Sequence, residues 1–426
     1  MDMQTTVSRT TRQVVLLSMG DSRNTSGVTR FLAMYLRGMA AYPEYEVLNV
    51  RFDQHPDRIF VRRHVYPTHT ELVIPLPPGV EELVRHRYWM RAYNDAVLPY
   101  VLPYLRPGCL LHLHTLNVID LALLIRRRVP CRIVSHLHCI PWKSHFNGRR
   151  ERFNRLYDGV YNGGMDAGEL RQSLQGVSFE MAYYHEADRV VCVTACAADF
   201  LRRYMDVPAE RITVIPNGIE DAGTPPAERP SHEGPVRLLF VGVLSESKGI
   251  GTVLRALQRL MREGRAVELY VCGRCPEEKR VRFGRAHPGL PVQLLGLLSY
   301  AELTALYRSC DIGVIASLQE QCSYAALEMM MHGLPVVTTL VDGLGELFRD
   351  GVDALGVGTC FSPVLGLSAD VEQMARQIGR LIDDAALRRR LGQEARRTFE
   401  RCYTLPAMME RIVAVYREME SPLKTD

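Results

Sequence analysis

Two glutamates separated by seven residues, Glu320 and Glu328, stand where a predicted strand gives way to a helix. The strand is the apolar run 312–316, and the helix would begin near Cys322. Because the first backbone N–H groups of a helix have no partner within it, this start would offer an anion site suited to a diphosphate. The carboxylates could accept pairs of hydrogen bonds from sugar or ribose hydroxyls. Taken alone, the pair is explained more simply as a helix-start acid and a solvated helix residue.

A lysine follows a second apolar run, 236–243, at the predicted start of another helix. The chain has four lysines, at positions 143, 248, 279 and 424, against 48 arginines, so Lys248 stands out. A lysine ammonium is a compact, mobile charge that can stabilise a departing diphosphate. The competing explanation is a solvated side chain at a helix start.

Four histidines lie in pairs at the ends of two predicted strands, His112 with His114 and His136 with His138. The i, i+2 spacing places each pair on one face of its strand. Four imidazoles can hold a metal ion, but neither cysteines nor a cluster of acids accompanies them. We therefore expect no metal here.

The eleven cysteines are an odd number, and several lie in apolar, strand-like runs, which favours reduced thiols over a disulfide framework. One pair, Cys272 and Cys275, has Cys-x-x-Cys spacing. Because no second pair stands at zinc-finger spacing, we interpret it as a turn at a strand end.

Short apolar runs alternate with longer helical patterns along the chain, as is typical of βαβ units and parallel sheets. The segment 221–235 is rich in proline, glycine and charge and predicts a linker between two sets of such units. Ligands of doubly wound sheets bind at the carboxyl ends of the strands, so two facing domains would hold the site between them. The predicted strands are 13–19, 46–50, 109–114, 131–137, 189–194, 211–215, 236–243, 267–273, 291–295, 312–316 and 334–338.

The fold class predicted from this pattern is α/β, with two doubly wound, Rossmann-like domains. The first domain would span 1–218 and the second 236–403, joined by a linker at 219–235. The tail, 404–426, would carry an amphipathic helix that packs back on the first domain.

Length, composition and charge exclude several classes of protein. The 426 residues suffice for two or three domains, and no apolar run approaches the roughly 20 residues of a membrane-spanning helix. No signal peptide is recognisable, so we expect a cytoplasmic protein. Residues 1–218 carry 27 basic against 21 acidic side chains, and the remainder 25 against 27. The basic excess favours an anionic acceptor or peripheral contact with the inner face of a membrane. Solvated arginines are an equally simple explanation. No nucleic-acid-binding module is recognisable.

The stretch from Glu320 to Glu346 closely resembles the donor-binding signature of the retaining nucleotide-sugar glycosyltransferases of family 4, which have the GT-B fold. Other parts of the family pattern follow in the expected order and spacing, so the resemblance covers nearly the whole chain. These parts are the loop 26–32 after the first strand, the strand 187–194, the interdomain crossing 215–219, and the phosphate-binding strand and loop 240–249.

The resemblance implies roles for individual residues. Glu320 would contact hydroxyls of the donor sugar, and Glu328 would bind the ribose. Lys248 would bind the diphosphate, and His138, with His136 as its competitor, would face the donor sugar. The remaining implied donor-binding residues are Cys322, Ser323 and Tyr324 through backbone N–H groups, with Gly27 and Gly242 in the two glycine-containing loops.

The chain departs from the family pattern at several positions. Val243 stands where the family has a phosphate-binding arginine, and we expect Arg274, or the hydroxyls of Ser245 and Ser247, to compensate. The residues 321–323, Gln-Cys-Ser, replace the common Gly-Phe-Gly, which is tolerable if no left-handed backbone is required. Cys139 replaces the aspartate that often follows the cleft histidine.

The function implied is retaining transfer of a hexose-type sugar from a nucleoside diphosphate sugar to a hydroxyl of a saccharide, lipid-linked or peptide acceptor. The resemblance implies neither a covalent enzyme nucleophile nor a cofactor or metal. Two alternatives remain: a catalytically weak GT-B subunit that binds a partner glycosyltransferase, and a nucleotide-sugar epimerase or hydrolase of the same fold.

Overall fold

The computed structural model describes residues 11–20, 27–53, 61–76, 87–140, 180–223, 233–362 and 366–420. These residues fall into two compact units. The first unit is drawn from Met1–His138, Phe153–Pro216 and Met408–Asp426, and the second from Cys139–Arg152 and Asn217–Ala407. The predicted linker lies outside the described residues over 224–232.

The first unit is built on an eight-stranded sheet with the order β3-β4-β2-β1-β5-β6-β7-β8. All neighbours are parallel except β3 and β4, which pair antiparallel at one edge. The strand order reverses direction between β1 and β5, so this is the position at which such sheets bind ligands. The strands are β1 (Arg12–Gly20), β2 (Tyr45–Asp53), β3 (Arg62–Val65), β4 (Thr70–Pro75), β5 (Cys109–Leu113), β6 (Cys131–Leu137), β7 (Arg189–Cys192) and β8 (Ile212–Val214).

Helices connect these strands, and their apolar faces cover the sheet. The run Val14–Leu17 in β1 is fully buried, as expected of a central parallel strand covered on both faces. The helix after β1 buries Phe31, Leu32 and Tyr35. The helices are α1 (Gly27–Met39), α2 (Arg87–Val101), α3 (Ile119–Arg126) and α4 (Ala195–Tyr204).

The second unit is built on a six-stranded, all-parallel sheet with the order β11-β10-β9-β12-β13-β14. Its strand order reverses between β9 and β12, and a separate antiparallel pair, β15 and β16, follows. The strands are β9 (Val236–Val241), β10 (Val267–Cys272), β11 (Val292–Gly296), β12 (Ile312–Ile315), β13 (Val336–Thr339), β14 (Leu355–Val357), β15 (Thr359–Ser362) and β16 (Gly366–Ala369).

The helices of the second unit flank that sheet around a continuous core that includes Leu238, Leu257 and Val314. Several begin at capping residues: Ser299 forms a complete capping box, and the Asp370 side chain accepts from the third helical N–H. The helices are α5 (Ile250–Arg262), α6 (Glu277–Ala286), α7 (Tyr300–Ser309), α8 (Tyr324–Met331), α9 (Leu344–Leu347), α10 (Val371–Asp383) and α11 (Ala385–Cys402).

The last helix, α12 (Leu405–Glu420), begins in the second unit and belongs to the first unit from Met408 onward. Its Tyr416 is fully buried, and the phenol oxygen lies 2.7 Å from the Tyr35 oxygen and 2.6 Å from His112 Nδ1. The tail helix therefore supplies a core side chain to the first unit.

Every strand predicted from the sequence is present, with bounds that shift by a few residues at most. Five strands were not predicted: β3, β4, β14, β15 and β16. They are short, and β4 owes its strand conformation to pairing with β2 rather than to a long apolar run. Among the described helices, none is both long enough and apolar enough to cross a membrane.

Candidate functional site

Lys248 and Glu320 form an ion pair in the second unit, through Nζ and Oε2. The lysine ends a 3₁₀ turn (Glu246–Lys248) after β9, and the glutamate lies in the loop after β12, the neighbouring strand. The Ser317 hydroxyl donates to the same carboxylate oxygen at 3.3 Å. The Lys248 side chain is 33% exposed and that of Glu320 16%, so both remain accessible to a ligand.

Gly249 fixes the turn that carries Lys248. Its φ of +71° lies in the left-handed region, and a Cβ there would overlap the carbonyl oxygen of Ala316. A backbone hydrogen bond of 2.8 Å from Leu318 N–H to the Ser247 carbonyl joins the same two loops. The loops after β9 and β12 are therefore packed backbone to backbone, which holds the ion pair in place.

Gly242 begins the loop after β9 and donates its N–H to the Cys272 carbonyl at 2.8 Å. A Cβ on the neighbouring Gly273 would overlap the Gly242 carbonyl, so the two strand ends approach closely because residue 273 has no side chain. Val243 follows with 48% of its surface exposed, and Arg274 is also exposed. The Ser245 and Ser247 hydroxyls lie 3.0 Å apart.

Helix α8 begins at Tyr324, slightly later than the start near Cys322 that we predicted. Ser323 is its N-cap, and its hydroxyl accepts from Ala326 N–H at 3.4 Å. Cys322 is buried, which raises the pKa of its thiol to about 12 and makes the thiol a poor nucleophile at neutral pH. Its carbonyl accepts from Asn217 Nδ2 at 3.0 Å.

Glu328 is 2% exposed, so the alternative of a solvated helix residue is wrong. Its Oε2 accepts from the Tyr307 hydroxyl at 2.8 Å, and the Tyr307 ring stacks on His332 at 5.3 Å between centroids. The hydrogen bond from Tyr307 fixes the orientation of this buried carboxylate.

The second unit therefore brings together Lys248, Glu320 and the start of α8 at the switch point between β9 and β12. A cation, the N-terminal backbone N–H groups of a helix and a carboxylate at one sheet edge can together bind a phosphorylated ligand that also carries hydroxyls.

In the first unit, Gly27 is the first residue of α1, and a Cβ there would meet no atom within 4 Å. Packing against the described residues therefore does not require glycine at this position. His138 directly follows β6 and is partly exposed, whereas His136 is buried. Of the two candidates for a ligand contact, His138 is the accessible one.

The four histidines form one cluster, in which His112, His114 and His136 are buried and His138 is partly exposed; the Phe31 ring packs on the last three of the four. His112 Nε2 lies 3.2 Å from His136 Nδ1, and His114 Nδ1 lies 3.1 Å from His138 Nε2. Burial lowers the pKa of His112 and of His138 to about 3, and the pKa values of His114 and His136 lie well below 6.5 for the same reason. All four rings are therefore neutral at pH 7.

One ring nitrogen from each of His112, His114 and His136 lies within 4.8 Å of those of the other two. Two direct hydrogen bonds already use ring nitrogens of all four histidines, so a metal ion would have to compete with them.

Sequence reasoning assigned no role to Asn217, Ser317 or Tyr307, although each contacts a predicted site residue. Asn217 lies in the Ile-Pro-Asn-Gly run of the crossing segment, which was a usable signal. Ser317 stands three residues before Glu320, a spacing that indicates nothing without the loop conformation. Tyr307 lies in α7 and Glu328 in α8, with β12 between them, so no local pattern connects them.

Two family models match the chain. The model described as "Glycosyl transferase 4-like domain" matches residues 26–218, and that described as "Glycosyl transferases group 1" matches residues 235–384. Together they match most of the chain, one in each half.

Curated relatives agree with these models. The glycogen synthase of Mycobacterium tuberculosis is 32% identical over 235 residues, which are 55% of this chain and 54% of the relative. The alpha-D-kanosaminyltransferase of Streptomyces kanamyceticus is 26% identical over 245 residues, 55% of this chain and 61% of the relative. The chain thus spans little more than half the length of these relatives.

Solved structures share the fold over nearly the whole chain. Sucrose-phosphate synthase from Thermosynechococcus elongatus superimposes with a TM-score of 0.73 at 19% identity, over 96% of this chain and 99% of that one. The Anabaena protein HepE in complex with UDP and glucose gives 0.65 at 15% identity, over 95% and 99%. With two parallel-sheet α/β units and a matching model in each half, the chain belongs to the GT-B glycosyltransferases of the family 4 type.

Proposed function

We propose that this protein is a retaining glycosyltransferase that moves a hexose-type sugar from a nucleoside diphosphate sugar to an acceptor hydroxyl. The observation that carries the proposal is the pairing of Lys248 with Glu320 beside the start of α8 at one sheet switch point. The pairing supports the proposal because a cation suited to phosphate and a carboxylate suited to hydroxyls lie close enough together to bind one ligand.

Lys248 stabilises the charge that grows on the diphosphate as the glycosidic bond breaks. The backbone N–H groups near Cys322, Ser323 and Tyr324 add to this at the helix start. Their positions are set before the ligand arrives, by the packing at Gly249 and by the Ser323 cap. Little reorganisation is then needed during the reaction.

Because Lys248 and Glu320 are already paired, each of them must change its partner when the donor binds. A diphosphate carries more negative charge than the Glu320 carboxylate, so it replaces that carboxylate as a partner for some of the Lys248 N–H donors. The released Glu320 carboxylate, still bonded to Ser317, then accepts from hydroxyls of the sugar. Glu328, oriented by Tyr307, accepts from the ribose.

Four further residues are proposed to bind the donor: His138 and Gly27 in the first unit, and Gly242 and Arg274 in the second. His138 is neutral and acts through hydrogen bonding to the donor sugar rather than through charge. Gly27 and Gly242 let backbone approach the diphosphate, and Arg274 replaces the charge that is absent at Val243.

The reaction proposed needs no enzyme nucleophile, because the departing diphosphate and the acceptor occupy the same face of the sugar. The diphosphate itself helps to take the acceptor proton. Fixed positive groups perform the charge stabilisation for which other transferases use a metal ion, so we propose metal-independent transfer.

Saccharide, lipid-linked and peptide acceptors all fit the proposal. Among the relatives, the glycogen synthase and the MMP alpha-(1->4)-mannosyltransferase of Mycolicibacterium hassiacum bear names that favour a saccharide acceptor. The edge strand Arg62–Val65 is exposed and basic. In a cytoplasmic protein it could bind an anionic acceptor or the surface of a membrane.

The test begins with donor binding by calorimetry, using UDP-glucose first and then GDP-mannose and ADP-glucose. We expect one of them to bind, and nucleoside diphosphate release to rise when saccharide acceptors are added without metal and with EDTA. The configuration of the product at the anomeric carbon, read by NMR, should match the donor.

Each other outcome favours a different function. Absence of binding by every donor contradicts the proposal and favours a subunit that binds a partner glycosyltransferase. Release that is unchanged by any acceptor favours a hydrolase, and a change in the donor sugar itself favours an epimerase. An inverted product contradicts the retaining mechanism alone.

A further inference from the structure

The buried histidines do more than fill the core of the first unit, because their hydrogen bonds restrict where each ring carries its proton. A neutral imidazole has one N–H donor and one bare acceptor nitrogen. In each of the two pairs, one ring nitrogen therefore donates and the other accepts. Within each pair, which nitrogen donates decides the protonation of the other two ring nitrogens of that pair.

The pair His114–His138 allows two assignments. If His138 Nε2 donates to His114 Nδ1, the remaining His114 proton sits on Nε2. If His114 Nδ1 donates to His138 Nε2, the His114 Nε2 is a bare acceptor, and the remaining His138 proton sits on Nδ1. The His114 Nε2 is buried and has no hydrogen-bond partner among the described residues.

The second assignment costs less free energy, because it leaves an acceptor nitrogen rather than an N–H donor without a partner. Among backbone groups, buried N–H donors without a partner are rarer than under-satisfied carbonyl acceptors, and we apply the same order to the imidazole nitrogens. The Phe31 ring, 5.3 Å from the His114 ring between centroids, offers an N–H only a weak contact. His114 therefore donates through Nδ1.

The same reasoning applies independently to the other pair. His136 Nε2 is also buried and has no partner in the part of the chain that the structure describes, so His136 donates through Nδ1 to His112 Nε2. His112 then donates through Nδ1 to the Tyr416 oxygen, 2.6 Å away, and Tyr416 donates to Tyr35 at 2.7 Å. The chain of bonds runs without conflict from His136 to the tail helix.

We infer that His114 is a positioning residue that keeps His138 in the Nδ1–H tautomer, so that His138 presents a hydrogen-bond donor to an oxygen of the bound sugar. All four histidines carry their proton on Nδ1. Neutral histidine in water favours Nε2–H, so this state is imposed by the protein. The stacking of His138 on His136, at 4.4 Å and 6°, fixes the plane of the ring.

The part of this inference that concerns the sugar rests on the proposed function, and the part that concerns the tautomer does not. The proton positions are read from long-range ¹H–¹⁵N NMR spectra of the full chain labelled at histidine, with the His138 signals assigned by their loss in His138→Gln. We expect a protonated Nδ1 and a bare Nε2 for His138, and the same pattern for His112, His114 and His136.

Two variants of His114 separate donation from packing. In His114→Asn the amide Nδ2 lies near the position of the imidazole Nδ1 and keeps a donor, whereas His114→Leu has none. We expect His138 to stay in the Nδ1–H form in the asparagine variant and to move to Nε2–H in the leucine variant. Loss of one neutral hydrogen bond should lower kcat of the leucine variant about tenfold, with the asparagine variant closer to wild type.

An Nε2–H form of His138 in the wild-type protein overturns the inference, and so does an unchanged tautomer in His114→Leu. The wild-type spectrum alone decides the tautomer even where a variant fails to fold. If the tautomers are as expected and no donor is turned over, the proposed function fails while the assignment of the protons stands.

Discussion

Single residues decide the chemistry of the second unit, and Lys248 is the one on which the proposed transfer depends most. Its ammonium is held by Glu320 at the edge of the sheet, and no other lysine of the chain lies in a strand-to-helix loop of this kind among the described residues. The other described lysine, Lys279, lies on the exposed face of α6.

Lys248→Ala should lower transfer at least tenfold, because one preorganised positive group at a leaving diphosphate is worth about 10²-fold or more in rate. Initial rates at saturating donor measure this. Lys279→Ala removes the same charge elsewhere in the unit and should leave the rate unchanged. Near-wild-type transfer by Lys248→Ala contradicts the assignment.

Glu320→Gln should separate binding from catalysis. The glutamine amide has the shape of the carboxylate but no charge, so it cannot form an ion pair with the Lys248 ammonium. A free nucleoside diphosphate should therefore bind as tightly as before or more tightly. Transfer should fall at least about tenfold, because the sugar hydroxyls lose a charged acceptor. Calorimetry and rates on the same preparation measure both, and a parallel fall in both would argue that Glu320 only supports the fold.

Val243→Arg restores the side chain that the resemblance leads us to expect. Val243 is 48% exposed, so a longer side chain has room to reach a phosphate. Donor affinity should rise by about threefold to tenfold, as expected for one charge-assisted hydrogen bond that remains partly solvated. The same substitution at exposed Val281 is the control. Unchanged affinity would indicate that Arg274 or the loop serines already fill this role.

At the scale of elements, glycine backbones rather than side chains fix the loops that carry the site. Gly249 ends the 3₁₀ turn, begins α5 and touches the Ala316 carbonyl. Gly264, which follows α5, has a similar φ of +80° but open space around its Cβ position. The two positions therefore separate the cost of the backbone conformation from that of a collision.

Gly264→Ala should destabilise the protein by about 1–2 kcal/mol, the cost of a left-handed conformation for a residue with a side chain. Gly249→Ala should cost more, roughly 3 kcal/mol or above, because the added methyl group also forces the two loops apart. Urea unfolding measures both, and the Gly249 variant should also weaken donor binding. Equal costs would contradict the close packing of the loops.

At the scale of the whole molecule, the buried histidine cluster makes stability depend on pH. Burial lowers the pKa of His112 to about 3 from 6.5, so on acidification the unfolded chain takes up a proton that the folded chain does not. This contribution is fully present above pH 6.5 and is lost as the pH falls from there towards 3.

Between pH 7 and pH 5 the protonation of His112 alone should lower the free energy of unfolding by about 2 kcal/mol. Urea unfolding at a series of pH values should show a shallower dependence for His112→Gln than for wild type. The exposed His64, on the edge strand, serves as the control, and His64→Gln should leave the slope unchanged. Identical slopes in all three proteins would contradict a neutral, buried His112.

The sequence by itself determined the two sets of βαβ units, the tail helix and the residues at the strand ends, because apolar periodicity and loop position are local properties. Lys248, Glu320 and His138 follow predicted strands, where parallel sheets place ligands, and the family resemblance assigned their roles. Strands β3 and β4 escaped prediction because pairing across the sheet, not their own composition, makes them strands. Only the tertiary structure decided that Lys248 pairs with Glu320, that Tyr307 orients a buried Glu328, and that Tyr416 closes the histidine network. These contacts join residues 72, 21 and 304 positions apart, and such distant partners are chosen by packing of the whole unit rather than by any pattern along the chain.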